Sequence, residues 1–219
     1  MIIWLASYPK SGNTWIRSLL CSYFFSKNKF GLLDLKRIPR FSLSDFIENK
    51  NLLKTNLNVA EQWINVQAYI NKKNKKTVFF KTHNAALSVN KNLFTDSNNT
   101  AGCIYVVRDP RNIITSYKNF ESISYERALK HMTNSDAFLF DKKKFENKFG
   151  FRGYEPIMSW SENYKSWAHN KLGIPVHLIK YEDMIKELDI DKSHRCNTCK
   201  KSFKYYNSYK NHKCLIKDN

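Results

Sequence analysis

A chain of 219 residues can bury a core of ordinary size, and 42% hydrophobic and 15% aromatic residues mark a folded protein, not a disordered tail. The formal net charge of +18 points toward anionic ligands, although runs such as Asn71-Lys72-Lys73-Asn74-Lys75-Lys76 read as solvated surface. No stretch approaches the ~20 apolar residues that cross a bilayer, and Ile2 to Ala6 is too short for a signal peptide and has no basic segment before it, so the expected location is intracellular and cytoplasmic.

Ile2 to Ala6 reads as a buried strand, and a helix is expected from near Thr14, with Ile16, Leu19, Leu20, Tyr23 and Phe24 at helical spacing as the face packed on the sheet. Between them lies Tyr8-Pro9-Lys10-Ser11-Gly12-Asn13-Thr14-Trp15. A strand that turns abruptly into a helix can hold an anion. The first helical N–H groups lack intrahelical acceptors, the helix dipole puts partial positive charge there, and Gly12 lets the backbone approach closely. Lys10 adds a full charge, and Ser11 and Thr14 add hydroxyl donors. Without further evidence the same residues would equally suit an ordinary strand-to-helix turn.

Ser42-Leu43-Ser44-Asp45 and Asn58-Val59-Ala60-Glu61 resemble helix starts, a capping side chain with an acid three residues later, and predict helices near 43–53 and 59–72. Thr77 to Lys81 is a strand that runs into Thr82-His83-Asn84. In open α/β sheets ligands collect beyond the carboxyl ends of the strands, which is where this histidine falls. Cys103 to Val107 is a near-continuous apolar run, as expected of a parallel strand covered on both faces, and it delivers Arg108 and Asp109 to the same edge.

Pro110 suits the first turn of a following helix with Ile113, Ile114, Tyr117 and Phe120 on its apolar face and Ser116 about two turns on from Arg108. Glu121 to Glu155 is mixed, and a helix and a lid are expected there. A helix from Pro156 to about Lys171 carries Trp160, Tyr164 and Trp167 as core aromatics. Val176 to Lys180 is a fourth strand, and Tyr181-Glu182-Asp183-Met184 opens a short helix. Alternating strands and helices predict a doubly wound α/β fold, a mostly parallel sheet with helices on both faces. Cys21 and Cys103 sit in apolar surroundings and are expected in the core.

These pieces, in this order, resemble the soluble sulfotransferases that use 3′-phosphoadenosine 5′-phosphosulfate (PAPS), whose fold is P-loop-like. The resemblance rests on YPKSGNTW at 8–15, KTH at 81–83, VVRDPRNIITSY at 106–117, the segment around Trp160 to Trp167, and KYEDM at 180–184. It covers residues 1 to about 188, and its first and third motifs are the specific ones. It implies that Lys10, Ser11, Gly12, Asn13, Thr14 and Trp15 wrap the 5′-phosphosulfate, that Arg108 and Ser116 hold the 3′-phosphate, and that Tyr181 lies near the adenine. It further implies that His83 is the general base toward an acceptor hydroxyl or amine, with Lys10 and Lys81 stabilising charge on the bridging and leaving oxygens. The acceptor would be a small molecule or a glycan. A nucleoside triphosphate kinase is disfavoured, because its phosphate loop needs G-x-x-x-x-G-K-[ST] and here Lys10 precedes Gly12.

Family chains continue past the YED segment with more helices and an arginine-lysine-glycine motif that contacts the nucleotide. After Leu188 this sequence instead changes to a basic segment, 189–219, with eight Lys or Arg against three Asp. That segment resembles a two-cysteine, two-histidine zinc finger, a small ββα module. Cys196-x2-Cys199 is followed after twelve residues by His212, with Cys214 or His194 as the candidate fourth ligand of a structural zinc. A basic finger can touch nucleic-acid phosphates. The alternative reading is therefore a degenerate sulfotransferase scaffold that serves as a zinc-finger module for nucleic acid or protein, or an interrupted gene product without activity.

Overall fold

The computed structural model describes residues 1–25, 31–139, 154–189, 194–195 and 202–203. Four strands form one parallel sheet: β1 (Ile2–Ser7), β2 (Val78–Thr82), β5 (Thr100–Val107) and β8 (Val176–Lys180), in the order β2-β1-β5-β8. The numbers between them belong to short antiparallel pairs, β3 (Ser88–Val89) with β4 (Asn92–Leu93) and β6 (Phe138–Leu139) with β7 (Glu155–Pro156). The chain leaves β1 toward β2 on one side and then returns to lay β5 on the other. The order therefore reverses between β1 and β5, and a crevice at their carboxyl ends is where an open α/β sheet receives ligands.

The helices are α1 (Asn13–Phe25), α2 (Asn56–Lys73), α3 (Pro110–Glu121), α4 (Tyr125–Met132), α5 (Trp160–Ala168) and α6 (Tyr181–Asp189). Side chains alternate along a strand, so Ile2, Trp4 and Ala6 of β1 share one face. They meet Val59, Trp63, Val66 and Ile70 of α2 and Trp167 of α5 in the main core. Trp4 is fully buried, packs against Phe41 and Phe94 at 5.1 and 5.0 Å, and donates its indole N–H to Thr100 Oγ1 at 2.9 Å. Leu5 points to the other face and is equally buried, so β1 is covered on both sides, which is why it reads as an unbroken apolar run. A second cluster gathers Tyr8, Ile113, Met132, Ala137 and Ile157. Cys21 and Cys103 are both buried.

The four predicted strands stand, and three helical expectations are corrected. The stretch 43–53 holds only 3-10 turns, Leu43–Asp45 and Lys50–Leu53. The Ser42 hydroxyl that was to cap a helix bonds Ser44 Oγ at 2.8 Å instead and makes no cap bond. Helix α2 begins earlier than 59, because Thr55 Oγ1 accepts from Asn58 N–H at 3.1 Å and acts as the cap. Helix α5 begins at Trp160, not at Pro156, which lies in β7. The Ser159–Glu162 capping box sets that start, and Met158, with φ 57°, breaks the chain before it.

On α1 the buried residues are Asn13, Ile16 and Cys21, while Leu19, Tyr23 and Phe24 are exposed. The Asn13 amide donates to Leu5 O and Ser7 Oγ at 3.0 and 3.1 Å, and these bonds to β1 fix which side of the helix faces the sheet. Of the α5 aromatics only Trp167 is fully buried; Trp160 and Tyr164 stack on each other, partly exposed. The region 121–155, where a helix and a lid are expected, supplies α4, β6 and β7, and its residues 140–153 lie outside the described residues.

By its contacts the chain divides into two units, Met1–Tyr181 and Glu182–Asn219. In the second unit β9 (His194–Arg195) pairs antiparallel with β10 (Ser202–Phe203). The zinc-ligand candidates Cys196, Cys199, His212 and Cys214 lie outside the described residues, among which no cluster of metal-ligating side chains occurs. No helix among the described residues is long and apolar enough to cross a membrane.

Candidate active site

All four sheet strands end on residues singled out from the sequence: β1 on the loop 8–12, β2 on His83, β5 on Arg108 and β8 on Tyr181. The loop is tightly wound. Lys10 has φ 67° and Gly12 φ 94°, both in the left-handed region, where a lysine is strained and a glycine is not. A side chain at Gly12 would also run into the Tyr181 ring, since an ideal Cβ would lie 2.6 Å from Tyr181 Cε2. Gly12 is therefore required twice, by its backbone and by the tyrosine that closes over it.

Arg108 ties this end together. Its Nη1 donates to Lys10 O at 3.0 Å, and its guanidinium lies 4.3 Å from the centre of the Tyr181 ring. Tyr181 in turn meets Trp15 edge-on, with ring centroids 6.5 Å apart. Three donors here have no partner although they are buried: Tyr8 Oη and Ser11 Oγ, each on a residue 1% exposed, and Arg108 Nε. An unpaired buried donor costs about 1–3 kcal/mol. The Lys10 ammonium lies 3.9 Å over the Phe120 ring of α3. Thr14 and Trp15 are exposed on the first turn of α1, and Ser116 is half-buried on α3. Asn13 is turned toward β1, where it holds the loop.

At the end of β2 the geometry is different. His83 Nδ1 lies 2.7 Å from the Ser7 carbonyl oxygen. A carbonyl only accepts, so Nδ1 carries the proton and Nε2 is left with the lone pair. The imidazolium is disfavoured: burial first, then the charge of Lys81, hold the His83 pKa well below its ordinary value, with Arg40 and Lys10 acting the same way and the Ser7 bond opposing them. The His83 imidazole is thus neutral and of fixed tautomer at physiological pH.

The segment after His83 is pinned on both sides. Asn163 Nδ2 donates to His83 O at 3.1 Å and to Ile157 O at 2.8 Å, while its Oδ1 accepts from Tyr105 OH at 2.7 Å. Trp167 Nε1 donates to Asn84 O at 2.9 Å, Ala85 N–H to Pro156 O at 2.9 Å, and Ala86 N–H to Ser166 Oγ at 2.9 Å. Ser7, Asn163 and Trp167 thus fix His83 and the segment after it without having been assigned to the site from the sequence. The signal for Asn163 was an amide on the apolar stripe of α5, four residues before Trp167; nothing in the spacing marked Ser7.

Lys81 lies beside His83 with its pKa brought down to about 8, first by burial, with Arg40 and Arg17 adding to the effect and Glu155 opposing it. Arg40 forms a two-pronged ion pair with buried Glu155, Nε to Oε1 at 3.0 Å and Nη2 to Oε2 at 2.8 Å.

The parallel α/β sheet carries a lysine-bearing loop at its switch point and a neutral histidine on the adjacent strand end. The match to the sulfotransferase domain, over residues 2–194, is more specific, and the chain belongs to that family. Among solved structures it is similar to mouse sulfotransferase SULT7A1 complexed with PAP, at 16% identity over 87% of this chain and 56% of that one, with a TM-score of 0.42. Retinol dehydratase in complex with androsterone and inactive cofactor PAP matches at 14% identity over 85% and 56%, TM-score 0.43. An uncharacterized protein from Eubacterium ventriosum matches at 12% over 87% and 98%, TM-score 0.40. The chain spans 56% of the length of the mouse sulfotransferase and of the retinol dehydratase. No curated protein sequence matches it.

Proposed function

We propose that this protein transfers a sulfuryl group from PAPS to a hydroxyl or amine of a small-molecule or glycan acceptor. The observation that carries the reading is the pair of buried, unpartnered donors, Ser11 Oγ and Arg108 Nε, that flank a lysine-bearing loop at the switch point of the sheet. Phosphate and sulfate oxygens are the acceptors such donors suit. The loop from Lys10 to Trp15 takes the 5′-phosphosulfate, Arg108 and Ser116 take the 3′-phosphate, and Tyr181 lies against the adenine.

In this reading His83 Nε2 accepts the acceptor's proton as its oxygen or nitrogen attacks sulfur, the S–O bond to the phosphate breaks, and negative charge gathers on the departing phosphate oxygen. Lys10 and Lys81 meet that charge. Most of the rate enhancement comes from positioning and electrostatics, as in phosphoryl transfer. Calorimetric titration with 3′-phosphoadenosine 5′-phosphate (PAP) tests the nucleotide half. Micromolar or tighter binding that Arg108→Ala abolishes or weakens is expected; no binding to the native protein, or binding indifferent to the substitution, overturns it.

A second reading concerns the tail. The antiparallel pairing of His194–Arg195 with Ser202–Phe203 brackets the positions of Cys196 and Cys199, the arrangement a zinc-finger hairpin requires. We propose a structural zinc held by Cys196, Cys199, His212 and Cys214, in a basic module suited to nucleic-acid phosphates or a protein partner. About one zinc per purified chain is expected by metal analysis, and less than about a tenth in a folded protein excludes it.

A further inference from the structure

The sulfotransferase reading uses Lys81 and His83 but leaves unexplained a deeply buried acid that acts on Lys81. Glu155 is 3% exposed. A buried carboxylate is costly unless it is paired, and here both oxygens are held by Arg40, at 3.0 and 2.8 Å. Arg40 is itself part of the strand end, because it bridges to Lys81 in parallel fashion. Lys81 N–H donates to Pro39 O at 2.8 Å, and Phe41 N–H donates to Lys81 O at 2.9 Å. On the other side, Pro156, the next residue after Glu155, accepts from Ala85 N–H at 2.9 Å. The contacts close a ring: Lys81 to the 39–41 segment, Arg40 to Glu155, Pro156 to Ala85, and Ala85 back through His83 to Lys81.

The charges inside that ring are unbalanced. Lys81 is approached by Arg17 of α1 and by Arg40, with neutral His83 two residues along its own strand end and Lys10 of the loop acting on His83. The acid that acts on Lys81 from β7 is Glu155. Arg17 is held nearby by its bond to Leu35 O at 2.6 Å.

We propose that Glu155 is a positioning residue of the transfer site: clamped by Arg40, it is the fixed counter-charge that holds Lys81 in its cationic form beside neutral His83. This assignment rests on the sulfuryl-transfer reading, in which Lys81 must be charged to meet the departing oxygen. Lys81 with a pKa near 8 is cationic at neutral pH and loses its charge as pH rises through that value. Removing the Glu155 charge destabilises the cation, and removing the Arg40 charge stabilises it and leaves the carboxylate to Lys81.

The test is the pH dependence of turnover in the native protein, Glu155→Gln and Arg40→Gln. The alkaline limb is expected to move about one pH unit downward in Glu155→Gln and upward in Arg40→Gln, the size of effect a close charge exerts. Limbs that stay in place, or that move in the same direction, overturn the proposal even if both variants are slow, since a merely structural clamp lowers rate without moving opposite limbs apart. If Glu155→Gln does not fold, Glu155→Asp, which keeps the charge, should retain the native limb while Arg40→Gln still shifts up. The sulfotransferase reading fails separately, by absence of turnover with PAPS. In that case the 13Cε resonance of Lys81 in lysine-labelled protein, assigned with Lys81→Arg, still titrates, and equal midpoints in the native and Glu155→Gln proteins overturn the counter-charge assignment.

Discussion

The carboxyl ends of β1 and β2 are neighbours in the sheet, with Ala6 opposite Thr82, and they are built on opposite principles. The β1 loop is left incomplete. It holds Lys10 in the left-handed region, and Ser11 Oγ and Arg108 Nε lie buried beside it without partners. The β2 end is tied down along its backbone, although Asn84 Oδ1 is buried without a partner. From His83 to Ala86 each residue has a backbone group bonded to Asn163, Trp167, Pro156 or Ser166, and the imidazole is bonded to Ser7. A site that receives a polyanion can leave donors open, because the ligand completes them. In the proposed reading a base must instead be held in one tautomer at one place before the ligand arrives, and the bonds around His83 hold its imidazole in that way.

The largest effect that would separate the two regions is on turnover. His83→Gln keeps an amide N–H for the Ser7 carbonyl but has no basic lone pair to offer. Turnover should fall by roughly 10²–10⁴-fold, the usual contribution of a positioned base, while PAP affinity stays near native. If turnover survives, His83 is not the base. A smaller effect belongs to the other region. Arg108→Ala removes charge-assisted hydrogen bonds worth roughly 1.5–3 kcal/mol, so PAP binding should weaken by about ten- to a hundredfold in the same calorimetric titration, with no change in the pH at which the base titrates. A uniform loss of both binding and folding in this variant would mean that Arg108 serves the loop's architecture through Lys10 O and not the ligand.

The two regions were also unequally legible in the sequence. The loop announces itself, since its chemistry lies within eight consecutive residues and in the strand-to-helix transition around them. His83 was legible as a strand-end residue, but what fixes its tautomer was not, because the Ser7 carbonyl is a backbone atom 76 positions away. Arg40 and Glu155 are 115 positions apart and meet only through the fold. Strands β1 and β5 could be read because burial on both faces removes polar residues from most of their length, whereas β8 at the sheet edge leaves His177, Leu178 and Lys180 exposed. Helical stretches were misjudged where a hydroxyl had a second choice of partner, as Ser42 does in Ser44, and where a polar side chain outranked the apolar pattern. On α1 the spacing of Leu19, Tyr23 and Phe24 promised a buried face, but the amide of Asn13 bonds to β1 and turns that face toward solvent.

The smallest expected effect is on stability, and it sharpens the contrast because only the β2 end carries a neutral buried base. In the unfolded chain His83 titrates near its ordinary value of 6.5, and in the folded protein its pKa is well below that. The unfolded state therefore binds more protons throughout the interval between the two values, and stability rises with pH across it. Read in the other direction, stability that is complete above pH 6.5 is lost as pH falls toward the folded pKa, before carboxylates begin to titrate in number. His131, whose pKa is also lowered by burial although Glu121 opposes the shift, adds to the same loss from α4. Urea unfolding at pH 7.5 and pH 5.5 should show the native protein losing stability on acidification and His83→Gln losing clearly less, with the remainder left to His131. Equal losses in both proteins would mean that folding does not lower the His83 pKa, and the neutral, single-tautomer imidazole at the end of β2 would have to be given up.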